Sequence, residues 1–143
     1  AVERALSELD VSRQRQEKIE REGMALQMAV REGSVSYISG RIRRSIGRRI
    51  DYQEPKHGFT ALHVAAMEGK VDAVFLLTAI GNADPLLMDK WKRTAADWAA
   101  IRGHDKICRH LVRYAGRRRR WERRATIEVM HALVENAKEE RRK

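Results

Sequence analysis

Three glycines, Gly33, Gly69 and Gly103, stand 36 and 34 residues apart, and each sits in the same local context. The segments MALQMAVREGSVSYISGRI, TALHVAAMEGKVDAVFLL and TAADWAAIRGHDKICRHLV align around them. Ala29, Ala65 and Ala99 fall in one register, and Leu26, Leu62 and Ala96 in another. A period of this length means one supersecondary unit used three times. A unit that cannot bury its apolar face alone must stack on its neighbours.

Each unit reads as helix, glycine, helix. The first helix carries small residues on one side (Ala65 and Ala66; Ala99 and Ala100), which allows close packing. The glycine permits the positive-φ conformation that ends a helix. The second helix has apolar spacings of three and four: Val71, Val74 and Leu77, with Leu76 extending the face, and Ile107 and Leu111 with Cys108 and Val112.

On GFTALHVAAMEGKVDAVFLLTAIGNADP (residues 58–85) and RTAADWAAIRGHDKICRHLVRYAG (residues 93–116) the chain resembles the ankyrin-repeat family, whose pattern is G-x-T-P-L-H-x-A-A…G-H…LL…G-A-D-P. The first unit, residues 24–52, keeps the helix pair but lacks the Thr-Pro-Leu-His start and reads as a degenerate capping repeat. Ala61 and Ala95 replace the family's proline, Asn82 is a one-residue insertion, and Lys92 stands in for the hairpin glycine, which weighs against a tight turn there. Gly116 matches the family's terminal glycine. It is expected to cap the last repeat and redirect the chain, although an uninterrupted helix would place Lys106, Arg109, Arg113, Arg117, Arg120 and Arg124 on one stripe. The resemblance implies a loop-bonding role for His63 and His104. It also implies protein partners at the turns and first helices, with the second helices on the outer side.

Both flanks have helical spacing of their own: Val2, Leu6 and Leu9 at one end, and Ile127, Met130, Val134 and Ala137 beside Leu133 at the other. The expected fold is all-α, a short ankyrin-type helical solenoid flanked by a long N-terminal and a long C-terminal helix, each covering one end of the stack. The divisions are residues 1–23, a charged helix; 24–116, the repeats; and 117–143, a basic helix. Trp121 is expected to anchor that last helix, and Trp98 to pack against it.

Charge narrows the function. The net of +10 is regional: residues 33–50 hold five arginines and no acid, and residues 102–124 hold ten basic residues against Asp105 and Glu122. Twenty-two of the 30 basic residues are arginine, which suits bidentate contact with phosphate or carboxylate. Arg41, Arg44 and Arg48 share a helix face, and Arg109, Arg113, Arg117, Arg118, Arg119, Arg120 and Arg124 make up the second cluster. They are the candidate polyanion-binding residues, with solvated charge as the competing reading and RNA or DNA backbone, acidic protein or anionic lipid as the ligands. Four consecutive arginines opening a helix after Gly116 would oppose its macrodipole, and an anion would relieve that. Trp91, near the tip of a turn, is the candidate protein contact.

Catalytic chemistry finds no foothold. His57, His63, His104, His110 and His131 form no nucleophile or metal spacing, Cys108 is alone, and no glycine-rich phosphate loop occurs. No cofactor, metal or small-molecule substrate is expected, and no enzyme. The expectation is an adaptor or scaffold subunit of a large assembly. It would bind protein subunits through the repeats and ribosomal or other RNA, or another polyanion, through the arginines. A purely protein–protein subunit of a mitochondrial membrane complex or a cytoskeletal assembly is the alternative. The start at Ala1 leaves room for a removed presequence, so the expected location is mitochondrial, otherwise cytoplasmic, and neither secreted nor transmembrane.

Overall fold

The structure is a computed structural model describing residues 1–44 and 50–142. Its helices in chain order are α1 (Val2–Glu32), α2 (Val35–Arg44), α3 (Ala61–Glu68), α4 (Val71–Ala79), α5 (Ala95–Ile101) and α6 (Asp105–Arg142). The described residues contain no strand, and the fold is the all-α repeat stack that the sequence implies. First helices pack in order, α1 on α3 and α3 on α5, and second helices likewise, α2 on α4 and α4 on α6.

Repeat chemistry explains the short elements. Thr60 caps α3 by accepting from the His63 N–H at 3.2 Å, and Thr94 caps α5 by accepting from the Asp97 N–H at 3.3 Å. Gly69 and Gly103 end the first helices at φ 70° and 78°. Gly33 does not follow them: it is extended at φ −86°, ψ 158°. There the requirement is space, since a Cβ would lie 2.6 Å from the Ala29 carbonyl oxygen.

Small and branched residues fill the core together. Ala65, Ala66, Ala73, Ala95 and Ala99 let the helices approach, while Leu26, Ile42, Leu62, Leu77 and Leu111 fill the remaining volume. At roughly 1.5–3 kcal/mol for each buried large side chain, this face makes stacking favourable.

The expected change of chain direction at Gly116 does not occur. α6 runs unbroken through Gly116, so that residue neither caps nor redirects the helix. A single glycine costs a helix only about 1 kcal/mol, and the arginines around it are good helix formers. α1 likewise runs through Gly23, where a Cβ would collide with the Tyr52 ring. The flanks do not cover the ends of the stack: residues 2–18 of α1 and 119–142 of α6 are exposed throughout, and Trp121, 68% exposed, borders an open groove with Thr78 and Asn82 rather than entering the core. No described helix is long and apolar enough to cross a membrane.

Candidate interaction faces

The turns before α3 and α5 lie side by side. Lys90 N–H donates to the His57 carbonyl at 3.0 Å, and Gln53 Nε2 donates to the carbonyls of Gly58 (3.0 Å) and Met88 (2.7 Å). An acid holds each turn from within. Glu54 accepts from the N–H groups of Lys56, His57 and Phe59, and Asp89 from those of Trp91 (2.9 Å) and Arg93 (3.0 Å) and from Trp98 Nε1 (2.6 Å). Burial pushes both carboxyls up. The hydrogen bonds outweigh it and hold them below the usual carboxylate range, with the charge of a neighbouring histidine helping.

The tight turn forms in spite of Lys92. That residue adopts φ 59°, and its N–H donates to the Asp89 carbonyl at 3.1 Å. A non-glycine residue in the left-handed region costs about 1–2 kcal/mol, which the Asp89 bonds offset. Sequence reading passed over Glu54 and Asp89. The available signal was an acid five or six residues ahead of the capping threonine in both repeats.

His63 works across repeats. Its Nδ1 accepts from the Thr60 N–H (3.2 Å), and Nε2 lies 2.9 Å from the Arg93 carbonyl oxygen, so Nε2–H donates there. Burial pushes its pKa down, against the opposing pull of the Arg93 bond, Asp89 and Asp97. His104 joins the same repeats further along, Nε2 to the Met67 carbonyl at 3.2 Å. Both therefore fill the loop-bonding roles expected of them.

Aromatic rings gather on these turns. His57 stacks on Phe59 (centroids 5.2 Å, 15°) and on Trp91 (5.8 Å, 22°), and Trp98 meets Phe59 edge-on at 5.9 Å. Trp98 thus packs on the turns rather than on the C-terminal helix, drawn by its Asp89 bond and by the Arg93 guanidinium 4.9 Å above its ring. Trp91 is 54% exposed, as its place at a turn tip suggested.

The arginines separate by face. Because α6 is continuous, Lys106, Arg109, Arg113, Arg117, Arg120 and Arg124 form one exposed stripe, about 27 Å long at 1.5 Å per residue. The first five border a groove against Phe75 of α4. Arg118 is on the opposite side and is committed to the stack: its Nη1 donates to the Ala83 carbonyl at 3.1 Å and pairs with Asp84 at 3.4 Å. Nearby, Tyr114 Oη donates to Asn82 Oδ1 at 3.1 Å. Arg119 borders a different groove with Arg123 and Ile127. In the first unit Arg44 is exposed, Arg41 is half-buried and donates to Tyr37 Oη at 3.3 Å, and Arg48 lies outside the described residues. His110 sits beside the stripe, 2.9 Å from Thr78 Oγ1, with its pKa pushed down by burial and then by Arg117. Cys108 is half-buried against the core.

Known proteins align with this chain over the stack. The family described as "Ankyrin repeats (3 copies)" matches residues 26–119. The ARF GTPase-activating proteins GIT2 and GIT1 of Homo sapiens are 35% and 38% identical over 68 residues. In both cases that is 48% of this chain and 9% of the relative, so the chain spans about a tenth of the curated relatives' length. A chain in the crystal structure of the yeast ribosomal protein Rps3 in complex with its chaperone Yar1 superposes with a TM-score of 0.55 at 27% identity. The match covers 62% of this chain and 64% of that one.

Proposed function

The chain belongs to the ankyrin-repeat family, and from that premise we propose that it is a non-catalytic adaptor with two working faces. The turn face, with Trp91 at its centre, binds a protein. The α6 stripe binds RNA through its phosphates, and the assembly is a ribonucleoprotein. The continuity of α6 through Gly116 carries this reading, because it joins what would otherwise be two separate basic patches into one straight row. A row of cations spaced by turns of a helix suits a phosphate backbone and supplies affinity without base specificity. Arg44 and Arg41 add a smaller patch on α2. A solved neighbour whose complex contains a ribosomal protein supports a place beside such particles.

A second reading has its own observation. Phe75 and Val112 lie in the same groove as the arginines and are exposed, which suits an acidic protein helix with an apolar edge.

Salt dependence separates the two. If all six stripe cations each neutralise one phosphate, log affinity for a single-stranded RNA should fall against log salt with a slope of about −4. Replacing Arg117 and Arg120 with alanine should reduce that slope to about −3 at unchanged helical content. Absence of RNA binding at low salt would remove the ribonucleoprotein reading and leave the acidic protein.

A further inference from the structure

The turn face carries a charge arrangement that the adaptor reading does not use. Two of its acids point inward, Glu54 and Asp89, occupied by backbone N–H groups of the turns, and the exposed Asp97 carboxylate is taken by the Thr94 N–H of the α5 cap. Its cations are not engaged in this way. Lys56, Lys90 and Lys92 are exposed, and none of them joins an ion pair among the described residues. The turns are built from both signs, yet their acids are engaged by backbone N–H groups while their lysines stand free of ion pairs among the described residues.

The same turns also carry exposed apolar side chains. Trp91 and Met88 are each 54% exposed, and the Trp91 ring is backed by His57 and Phe59. The bonds from Gln53 to Met88 and from Lys90 to His57 fix the two turns together, so little ordering remains to be done when a ligand arrives. An exposed aromatic and a methionine on turns that also carry cations is the anatomy of a protein-binding patch.

We propose that this face binds an acidic peptide segment carrying one apolar anchor, the anchor against Trp91 and Met88 and the carboxylates at Lys56, Lys90 and Lys92. The inference rests on the adaptor reading and gives its protein partner a chemistry. Exposed Met88 on the same turn as Trp91 favours a peptide over a stacked nucleobase, which needs an aromatic plane and a phosphate contact but no aliphatic neighbour.

The test pans a phage library of random dodecapeptides against the full chain and titrates the enriched peptide by NMR. Enriched peptides should place Asp or Glu around a single Leu, Phe or Trp, and the Trp91 indole N–H should shift while those of Trp98 and Trp121 stay in place. Trp91→Ala should weaken binding about tenfold, the loss expected of an interface anchor. Replacing the three lysines with alanine should weaken binding and flatten its salt dependence. Enriched peptides without acids but dependent on Trp91 would overturn this inference and keep the adaptor reading. Failure to enrich any Trp91-dependent peptide would overturn both. A uridine decamer shifting the Trp91 indole more tightly than any peptide would assign the face to RNA instead.

Discussion

Removing the Asp89 carboxylate tests whether the turn face is held from within. Asp89 is 6% exposed and accepts three hydrogen bonds, from Trp91 N–H, Arg93 N–H and Trp98 Nε1–H. A hydrogen bond to a charged group contributes about 1.5–3 kcal/mol. Trp91 and Arg93 are exposed, so water can reach their N–H groups in part once the acid is gone. Rehydration therefore lowers each of those two to about 0.5 kcal/mol, and with about 2 kcal/mol for the part-buried Trp98 bond Asp89→Ala should cost about 3 kcal/mol in all. In a chain of this size that lowers Tm by about 10 °C, read by circular dichroism. Asp89→Asn keeps one carbonyl acceptor but turns an NH2 toward a donor, and should cost about 2 kcal/mol.

The same acid predicts a pH signature. Its pKa lies below the ordinary carboxylate value of about 4. The stability it contributes is therefore fully present above that value and is lost as pH falls through the depressed folded pKa. The gap between wild type and Asp89→Asn should close below about pH 4. A destabilisation under about 0.5 kcal/mol, or a gap unchanged at low pH, would refute the reasoning. Peptide binding at Trp91 should weaken in the variant while RNA binding at α6 does not.

Other substitutions probe the helix ends and the histidines. Gly116→Ala should raise stability by about 0.5–1 kcal/mol in denaturant melts, because the site is mid-helix and a Cβ there meets nothing within 4 Å; a cap would give a loss instead. Gly69→Ala should cost about 2 kcal/mol by the same assay, since φ is 70° and the methyl would lie 2.7 Å from His104 Cε1. His63 and His110 both have pKa values pushed below the ordinary 6.5. Their contribution is present above about pH 6.5 and lost as pH falls toward their lowered folded values, so the midpoint of unfolding should drop on acidification and His63→Gln should blunt that drop.

The repeats were legible because local geometry dictates their markers. A left-handed helix end selects Gly69 and Gly103, a first turn selects Thr60 and Thr94, and close helices select Ala65 and Ala99. The sites were less legible because tertiary partners decide them. Trp98 has a helical register that says nothing of Asp89, and Arg118 looks like its neighbours until Ala83 and Asp84 arrive beside it. Gly116 is the instructive miss. The family register makes it a terminator, but a terminator also needs the following residues to leave the helix, and Arg117 to Arg120 are content to continue it.

That continuity replaces one electrostatic argument with another. Four arginines at a helix start would oppose the macrodipole, but α6 starts at Asp105, an acid well suited to that end, and the arginines fall in mid-helix. The dipole therefore gives no reason for an anion. Like-charge spacing does. Lys106, Arg109, Arg113, Arg117, Arg120 and Arg124 make five successive i,i+3 or i,i+4 pairs, each unfavourable by about 0.2–0.5 kcal/mol, for a total of about 1–2.5 kcal/mol. The other side of the helix withstands this because Ile107, Leu111 and Arg118 fasten it to the stack. A polyanion along the stripe would relieve the repulsion over its whole length, where a single bound anion would relieve only one pair. The length of the stripe, more than its charge, is what favours an extended ligand.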